Sequence, residues 1–252
     1  MVDATTTLVI LAVSAFVPPL LFLAVVRGTE RYGREPWSRV LRTFFWGAVF
    51  AVIIASILEL LLFAVYNRYV PIRLLQNQNL GTIVLVLLIA PIVEELAKGI
   101  GVYLARPMID EPEDGLVYGA AAGFGFAASE NLLYGLLALT LPGGSLGESI
   151  VVIGVRSISS ALLHATASGT FGYGIALNRL WPHLHTALPY YLLAVMMHST
   201  FNFLASLGDI GTPVFGDNAA VYGLLGAILL AVAAFVALRW LIRTHDEQRV
   251  TW

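Results

Sequence analysis

The stretch PIVEELAKGI, residues 91–100, sets three ionisable side chains in an otherwise apolar run. Glu94 and Lys98 are four residues apart and Glu95 and Lys98 are three apart, so on a helix the chain's only lysine can pair with either carboxylate. Two adjacent carboxylates cannot both ionise at low cost in a low dielectric, so the unpaired one can hold or exchange a proton. A general acid or base needs this ability at neutral pH. The alternative is a buried ion pair with a purely structural role. Such a pair needs one carboxylate, and this segment has two.

A stripe of small residues leads up to a further buried carboxylate. Gly115, Gly119 and Gly123 recur every four residues, a spacing that lets a neighbouring membrane helix approach closely. Phe126 and Glu130 continue the same face, so we predict Glu130 at a tight helix contact, within reach of polar groups on another helix. The glycines alone indicate only packing, and Glu130 alone would be explained by an interhelical hydrogen bond.

Two more apolar segments carry polar residues at four-residue spacing. The first set is Arg156, Ser160, His164 and Ser168, and the second is His198, Asn202 and Ser206. A lone buried histidine is more often a structural donor than a catalyst, and an Asn–His pair can simply join two helices. An asparagine in a membrane is costly unless it is bonded, however, and its amide is a good neutral donor to a developing oxyanion.

The polar faces of these four predicted helices can meet at one buried site. Each charged side chain in a membrane costs roughly 2.5–3.5 kcal/mol on insertion scales, and such residues usually face a bundle interior or a water-filled cavity. We therefore expect the site to carry out chemistry. The candidate catalytic residues are Glu94, Glu95, Glu130, His164, His198 and Asn202, with Lys98, Arg156 and Ser160 in support.

The composition indicates which elements must position these residues. The 252 residues are 58% hydrophobic and 12% charged, with a mean hydropathy of +0.82, whereas soluble domains carry about 25% charged residues. We predict an all-α, polytopic membrane bundle in the lipid bilayer, forming one domain over residues 1–252. A net charge of −2 gives no footprint for nucleic acid, and the absence of cysteine excludes thiol nucleophiles. Seven apolar segments are long enough to span a bilayer, at roughly 5–26, 40–66, 81–105, 115–140, 149–178, 188–207 and 220–242.

The arginines predict the orientation of the bundle. With seven spans, only Arg68 and Arg73 fall on one side, and the positive-inside rule then places the N-terminus outside and the C-terminus in the cytoplasm. The N-terminal segment starts with Asp3 and ends in a basic loop, which favours a retained helix over a cleaved signal. The arginines predicted on the cytoplasmic side are Arg27, Arg31, Arg34, Arg39, Arg42, Arg106, Arg179, Arg239, Arg243 and Arg249.

The motifs of several intramembrane proteases do not occur in the sequence. There is no His-Glu-x-x-His for a zinc metalloprotease, and Asp209 at a helix end has no second aspartate within a span. TASGT at 166–170 lacks the first glycine of the Gly-x-Ser-Gly motif of rhomboid-like serine proteases. Carboxylate and imidazole remain as base and acid, with water as the nucleophile.

The ordered motifs resemble those of the PrsW family of intramembrane proteases. EELAK, FAASEN, a histidine on the fifth segment and HSTFN follow that family's order, and ERYGREPW and EDGLVYGAAAGFGFAASEN are similar to its typical segments. The resemblance covers roughly residues 30–205. The related CAAX prenyl proteases and abortive-infection proteins carry Glu-Glu-x-x-x-Arg and Phe-x-x-x-His. This chain departs from them in two places. Lys98 is one residue closer to the glutamate pair than their arginine, and Glu130 stands where they have histidine.

The resemblance implies a multi-pass peptidase of the prokaryotic plasma membrane that cuts a single-pass, membrane-tethered protein, as this family cuts anti-sigma factors. Of the candidate residues, Glu94, Glu95, Glu130 and His164 match the catalytic motifs, and His198 and Asn202 match the last one. In the role assignment, His198 with Asn202 stabilises the oxyanion, and His164 with Glu130 protonates the leaving amine.

The identity of the water-activating group stays open between two hypotheses. In the first, Glu95, assisted by Glu94, activates the water while Lys98 keeps the second carboxylate ionised. In the second, the cofactor is one Zn²⁺ that acidifies the water. The ligands for this ion would be His164, His198, Glu95 and Glu130.

Two rival functions use the same residue types. A proton- or ion-coupled transporter also carries intramembrane Glu, Lys and His, but it favours inverted repeats and broken half-helices, which the sequence does not display. A non-catalytic membrane scaffold would be expected to lose part of the polar set, and every member is present here.

Overall fold

The computed structural model describes residues 3–70 and 78–248, and these residues contain helices and no β-strand. Arg73 and Arg249, which entered the orientation prediction, lie outside the described residues. The prediction of an all-α membrane bundle is confirmed in its coarse form. The main helices are α1 (Ala4–Arg27), α2 (Trp37–Tyr69), α3 (Leu80–Met108), α4 (Pro112–Thr140), α5 (Leu146–Ile158), α6 (Ser160–Leu180), α7 (Ala187–Ala205) and α8 (Ala219–Gln248).

Several of these helices are long and apolar enough to cross a membrane. Helices α4 and α7 fall outside that group. The apolar content of α4 is lowered by its glycines with Glu130 and Asn131, and that of α7 by His198 and Asn202. The chain is thus a multi-pass helical membrane protein. The five stretches that meet the length and composition of a span are Ala4–Arg27, Trp37–Tyr69, Leu80–Met108, Leu146–Leu180 and Thr212–Gln248.

The fifth predicted segment, 149–178, is not one continuous helix. The chain leaves helical geometry at Ser159 (φ −119°, ψ −79°), which separates α5 from α6. The Ser159 hydroxyl donates to the Val155 carbonyl at 2.8 Å, and serine side chains that bond the preceding turn compete with regular helix. Arg156 and Ser160, predicted on one helix, therefore lie on two helices.

Helix α4 lies at the centre of the bundle, with its backbone pressed against α6 on one side and α2 on the other. A β-carbon at Gly119 would lie 2.2 Å from the Ser168 carbonyl oxygen, and one at Gly123 would lie 2.3 Å from the His164 carbonyl oxygen. The prediction that this stripe gives a close helix contact is confirmed, and its partner is the helix that carries His164.

Helices α2 and α3 each contain a π-helical turn next to the polar centre of the bundle, at Trp46–Ala51 and Leu85–Ile89. A π-helical turn disturbs the regular i→i−4 ladder and often marks a functional site. A side chain from another helix bonds each turn. The Ser129 hydroxyl on α4 donates to the Ala48 carbonyl of α2 at 2.6 Å, and the Asn202 amide on α7 donates to the Val86 carbonyl of α3 at 2.9 Å.

The loop between α1 and α2 is fastened to the end of α8. The buried Asp246 carboxylate accepts the backbone N–H groups of Arg31 and Tyr32 at 2.7 and 3.0 Å. Glu30 is buried in the same loop, and one of its carboxylate oxygens has no hydrogen-bond partner among the described residues. Burial raises the pKa of Glu30 to about 8.

Candidate active site

Lys98 on α3 is the centre of the buried polar cluster. Its side chain is fully buried, and its ammonium lies 2.6 Å from Glu95 Oε1, 2.9 Å from His164 Nδ1 and 3.5 Å from Glu94 Oε2. The ring of Phe126 covers the ammonium at 4.5 Å. One cation thus joins both carboxylates of α3 to the histidine of α6, as the i,i+3 and i,i+4 spacing permits.

The two adjacent glutamates have different surroundings. Glu95 has no solvent-exposed surface. Besides Lys98, it accepts hydrogen bonds from the Ser168 hydroxyl at 2.8 Å and from His198 Nδ1 at 3.0 Å. Glu94 lines a cavity, and its Oε2 lies 3.8 Å from His164 Nδ1 and 3.9 Å from His198 Nε2. Glu94 is therefore the carboxylate that water or a substrate can reach.

Glu130 on α4 orients His164 from the opposite side of the ring. His164 Nε2 lies 2.9 Å from Glu130 Oε2, which also forms a 2.7 Å ion pair with Arg156. Arg156 in turn bonds Ser160 at 3.1 Å and lies over the Tyr134 ring at 3.8 Å. The guanidinium therefore compensates the charge of Glu130 and fixes its position.

A cavity of about 570 Å³ opens onto this cluster. Its walls include Glu94, Glu130, His164 and His198. Its rim reaches Asp209, beyond the end of α7. The two rings that face it, His164 and His198, lie edge to face with centroids 4.7 Å apart. The volume of the cavity is large enough to hold several water molecules at the cluster.

The structure brings all the sequence-predicted residues to this cluster or to its cavity, but not in equivalent positions. Glu95 and Lys98 lie behind the cavity wall, whereas Asn202 lines the cavity but gives its amide to Val86 rather than to the carboxylates. Arg156 and Ser160 also line the cavity.

Two residues of the site were not assigned a role from sequence. Ser168, which donates to Glu95, was visible as the end of the polar stripe one turn beyond His164. Glu59 on α2 lines the cavity, and so does Ser56, three residues before it on the same helix. Their i,i+3 spacing was the signal in the sequence, and the packing of α2 against the other helices places both residues at the site.

The cluster contains a set of donors suited to one metal ion. Within the described part of the chain, ligand atoms of Glu94, His164 and His198 lie within 4.8 Å of one another, and all three residues are buried. Two histidines and one glutamate form a known type of catalytic zinc site. The other ring nitrogens face Glu130 and Glu95, as carboxylates orient zinc-binding histidines. These residues fit a zinc ion.

This donor set differs from the one predicted from sequence, which combined the two histidines with Glu95 and Glu130. In the structure these two carboxylates bond the outer nitrogens of His198 and His164, one layer away from the common centre. Glu94 faces the inner nitrogens instead, because adjacent residues on a helix point in directions about 100° apart.

The fold and the site define the class, a multi-pass helical membrane protein whose buried Glu94/His164/His198 cluster fits a catalytic site. The chain belongs to the PrsW family. The family model described as "PrsW family intramembrane metalloprotease" matches residues 35–238. The protein is accordingly a prokaryotic peptidase, and its substrates are membrane proteins.

Curated relatives agree with this assignment. The chain is 26% identical over 198 residues to Protease PrsW of Clostridioides difficile, covering 75% of this chain and 76% of that protein. It is 26% identical over 201 residues to Protease PrsW of Bacillus subtilis, with 74% and 78% covered. The corresponding protein of Geobacillus kaustophilus is 28% identical over 191 residues, with 74% and 76% covered. No solved structure matches the chain significantly.

Proposed function

We propose that the chain hydrolyses a peptide bond of a single-pass membrane protein at the Glu94/His164/His198 cluster, with water as the nucleophile. The observation that carries the proposal is the position of Glu94. Its carboxylate faces the cavity together with Nε2 of His198, while its neighbour Glu95 is fully buried.

In the proposed reaction, Glu94 takes a proton from a water molecule held between its carboxylate and His198 Nε2. The hydroxide attacks the substrate carbonyl, and Glu94 returns the proton to the leaving amine as the C–N bond breaks. The hypothesis that Glu95 activates the water is less compatible with the geometry, because both oxygens of Glu95 are engaged by Lys98, His198 and Ser168.

The remaining polar residues act on this reaction through charge and orientation. Glu95 fixes the ring of His198, so that Nε2 points to the cavity. Glu130 fixes the ring of His164, and protonation of the leaving amine, which was predicted from sequence for His164 with Glu130, is carried out by Glu94 in this mechanism. Asn202 reaches a developing oxyanion once its amide leaves the Val86 carbonyl.

A bound metal ion would be held by Glu94, His164 and His198, the three residues whose donor atoms converge. Such an ion would acidify a bound water and polarise the substrate carbonyl.

The membrane arrangement proposed here has seven spans, with the N-terminus outside and the C-terminus in the cytoplasm of a prokaryotic plasma membrane, in one domain. Helix α4 supports this count because it is enclosed by protein along most of its length, and an enclosed helix need not be as apolar as one that faces lipid. The cavity rim at Asp209 then lies towards the outer side. Anti-sigma factors are the substrate class that the family resemblance favours.

The test separates a peptidase from a proton-coupled transporter. Purified protein is reconstituted in proteoliposomes with a single-pass reporter, products are mapped by mass spectrometry, and proton flux is followed with a pH-sensitive dye. We expect the wild type to cut the reporter at one peptide bond. His183→Gln, which replaces an exposed histidine and serves as the control, should cut it at the same bond. The His198→Gln variant should lose cleavage. Proton flux without cleavage would contradict the proposal and favour the transporter.

A further inference from the structure

The ammonium of Lys98 contacts two of the three atoms that would bind a metal ion, His164 Nδ1 at 2.9 Å and Glu94 Oε2 at 3.5 Å. These two atoms, with His198 Nε2, are the ones that face each other across the centre of the cluster. The chain thus supplies a positive charge to the same donors that would bind a cation.

His164 cannot bind the Lys98 ammonium and a metal ion at the same time. Its Nε2 faces Glu130 at 2.9 Å, which leaves Nδ1 for Lys98. A neutral imidazole offers one lone pair, in the ring plane, and zinc binds such a nitrogen at about 2.0–2.1 Å. An ion on that lone pair would overlap the Lys98 ammonium, and two buried cations also repel each other strongly.

Lys98 is held firmly in this position. Its side chain is fully buried, Glu95 pairs with it at 2.6 Å, and the Phe126 ring covers it at 4.5 Å. Metal entry therefore requires the lysine to break its contact with His164.

We propose that Lys98 and a divalent metal ion occupy the Glu94/His164/His198 cluster in a mutually exclusive manner. The chain carries its own cation for this site and binds metal only when the Lys98–His164 contact is broken. The inference deepens the proposed function because it concerns the same site. Its tests read metal binding rather than cleavage, so the two can fail separately.

The first test compares zinc affinity between variants. Zinc is titrated into tag-free wild type, Lys98→Met and Ser168→Ala in detergent, with occupancy counted by elemental mass spectrometry. Ser168→Ala is the matched control, since it removes a hydrogen bond to Glu95 but leaves the lysine. We expect Lys98→Met to bind zinc at least about 100-fold more tightly than the wild type, and Ser168→Ala within about threefold of it. Equal affinity in wild type and Lys98→Met, or no zinc binding by either, would overturn the proposal.

The second test uses the wild type and does not depend on the folding of a variant. Because Lys98 is the only lysine, selective ¹⁵N-lysine labelling gives a single side-chain NMR signal. We expect this signal to move in proportion to the zinc bound, and to stay unchanged where no zinc binds. Stoichiometric zinc at the site with an unchanged Lys98 signal would overturn the proposal. Reporter cleavage, measured separately on the same samples, reports on the proposed function.

Discussion

The contact between α4 and α6 predicts a strong effect of adding one methyl group at Gly123. A β-carbon there would lie 2.3 Å from the His164 carbonyl oxygen, 2.5 Å from its carbon and 2.7 Å from Ala165 Cα. Ordinary contact begins near 3.4 Å, so the two helices would have to separate by about 1 Å. All three atoms belong to the backbone, and no side chain can turn aside to make room.

The expected magnitude follows from this displacement. Overpacking of this kind costs about 1–3 kcal/mol of folding free energy. A shift of about 1 Å in a catalytic group can lower the rate by roughly 100-fold, and here the shift falls on the residue that carries the His164 ring. The assay is thermal unfolding in detergent together with reporter cleavage for Gly123→Ala.

The control is Gly154→Ala on α5, where a β-carbon would meet nothing within 4 Å. Replacing a helical glycine in open space stabilises the helix by about 0.5–1 kcal/mol, so this variant should be as stable as the wild type or more so, and fully active. Wild-type stability and cleavage in Gly123→Ala would refute the proposed backbone contact between α4 and α6.

Two further predictions concern a buried loop carboxylate and the π-helical turn of α3. The pKa of Glu30 is raised to about 8 from 4.5 by burial, so its stabilising contribution is complete below pH 4.5 and is lost as the pH rises towards 8. The contribution of Glu30 to the free energy of unfolding should fall by up to about 1.4 kcal/mol per pH unit across that window. Glu30→Gln should therefore make the pH dependence shallower in thermal melts from pH 5 to 9, and an identical slope in the variant would contradict this prediction. Asn202→Leu removes the hydrogen bond to the Val86 carbonyl and should lower the unfolding free energy by about 0.6–2 kcal/mol. Urea or thermal unfolding measures this change, and an unchanged stability would mean that the bond does not hold α3 to α7.

Much of the bundle follows from local pattern. Long apolar segments predict helices wherever they occur, and the spacing of Gly115, Gly119 and Gly123 predicts close packing because i,i+4 residues share a helix face. The break at Ser159 was missed, because the polar residues around it also fit one stripe on a continuous helix. The hydrogen bond from Ser159 to the preceding turn forms only in the folded chain.

The site was predictable as a set of residues but not as an arrangement. Spacing on α3 shows that Lys98 can reach both carboxylates, yet it does not show which carboxylate faces the cavity. That choice depends on Ser168 and His198, which come from other helices and both bond Glu95. Glu59 reaches the cavity through the packing of α2, because its spacing to Ser56 gives a shared helix face but not the helices that this face meets.

The central claim is that Glu94, and not Glu95, contacts the reacting water. The most direct test measures the rate constant for reporter cleavage by Glu94→Gln, with unfolding measured on the same sample. A general base contributes about 10²–10⁴-fold to the rate, so we predict a loss of at least about 100-fold. Stability should be nearly unchanged, since the contacts of Glu94 with Lys98 and with the two histidines of the site are long, at 3.5, 3.8 and 3.9 Å. By the same argument, Glu95→Gln should lower stability along with activity, because Glu95 is the fully buried partner of Lys98, His198 and Ser168. Cleavage by Glu94→Gln at the wild-type rate would contradict the account.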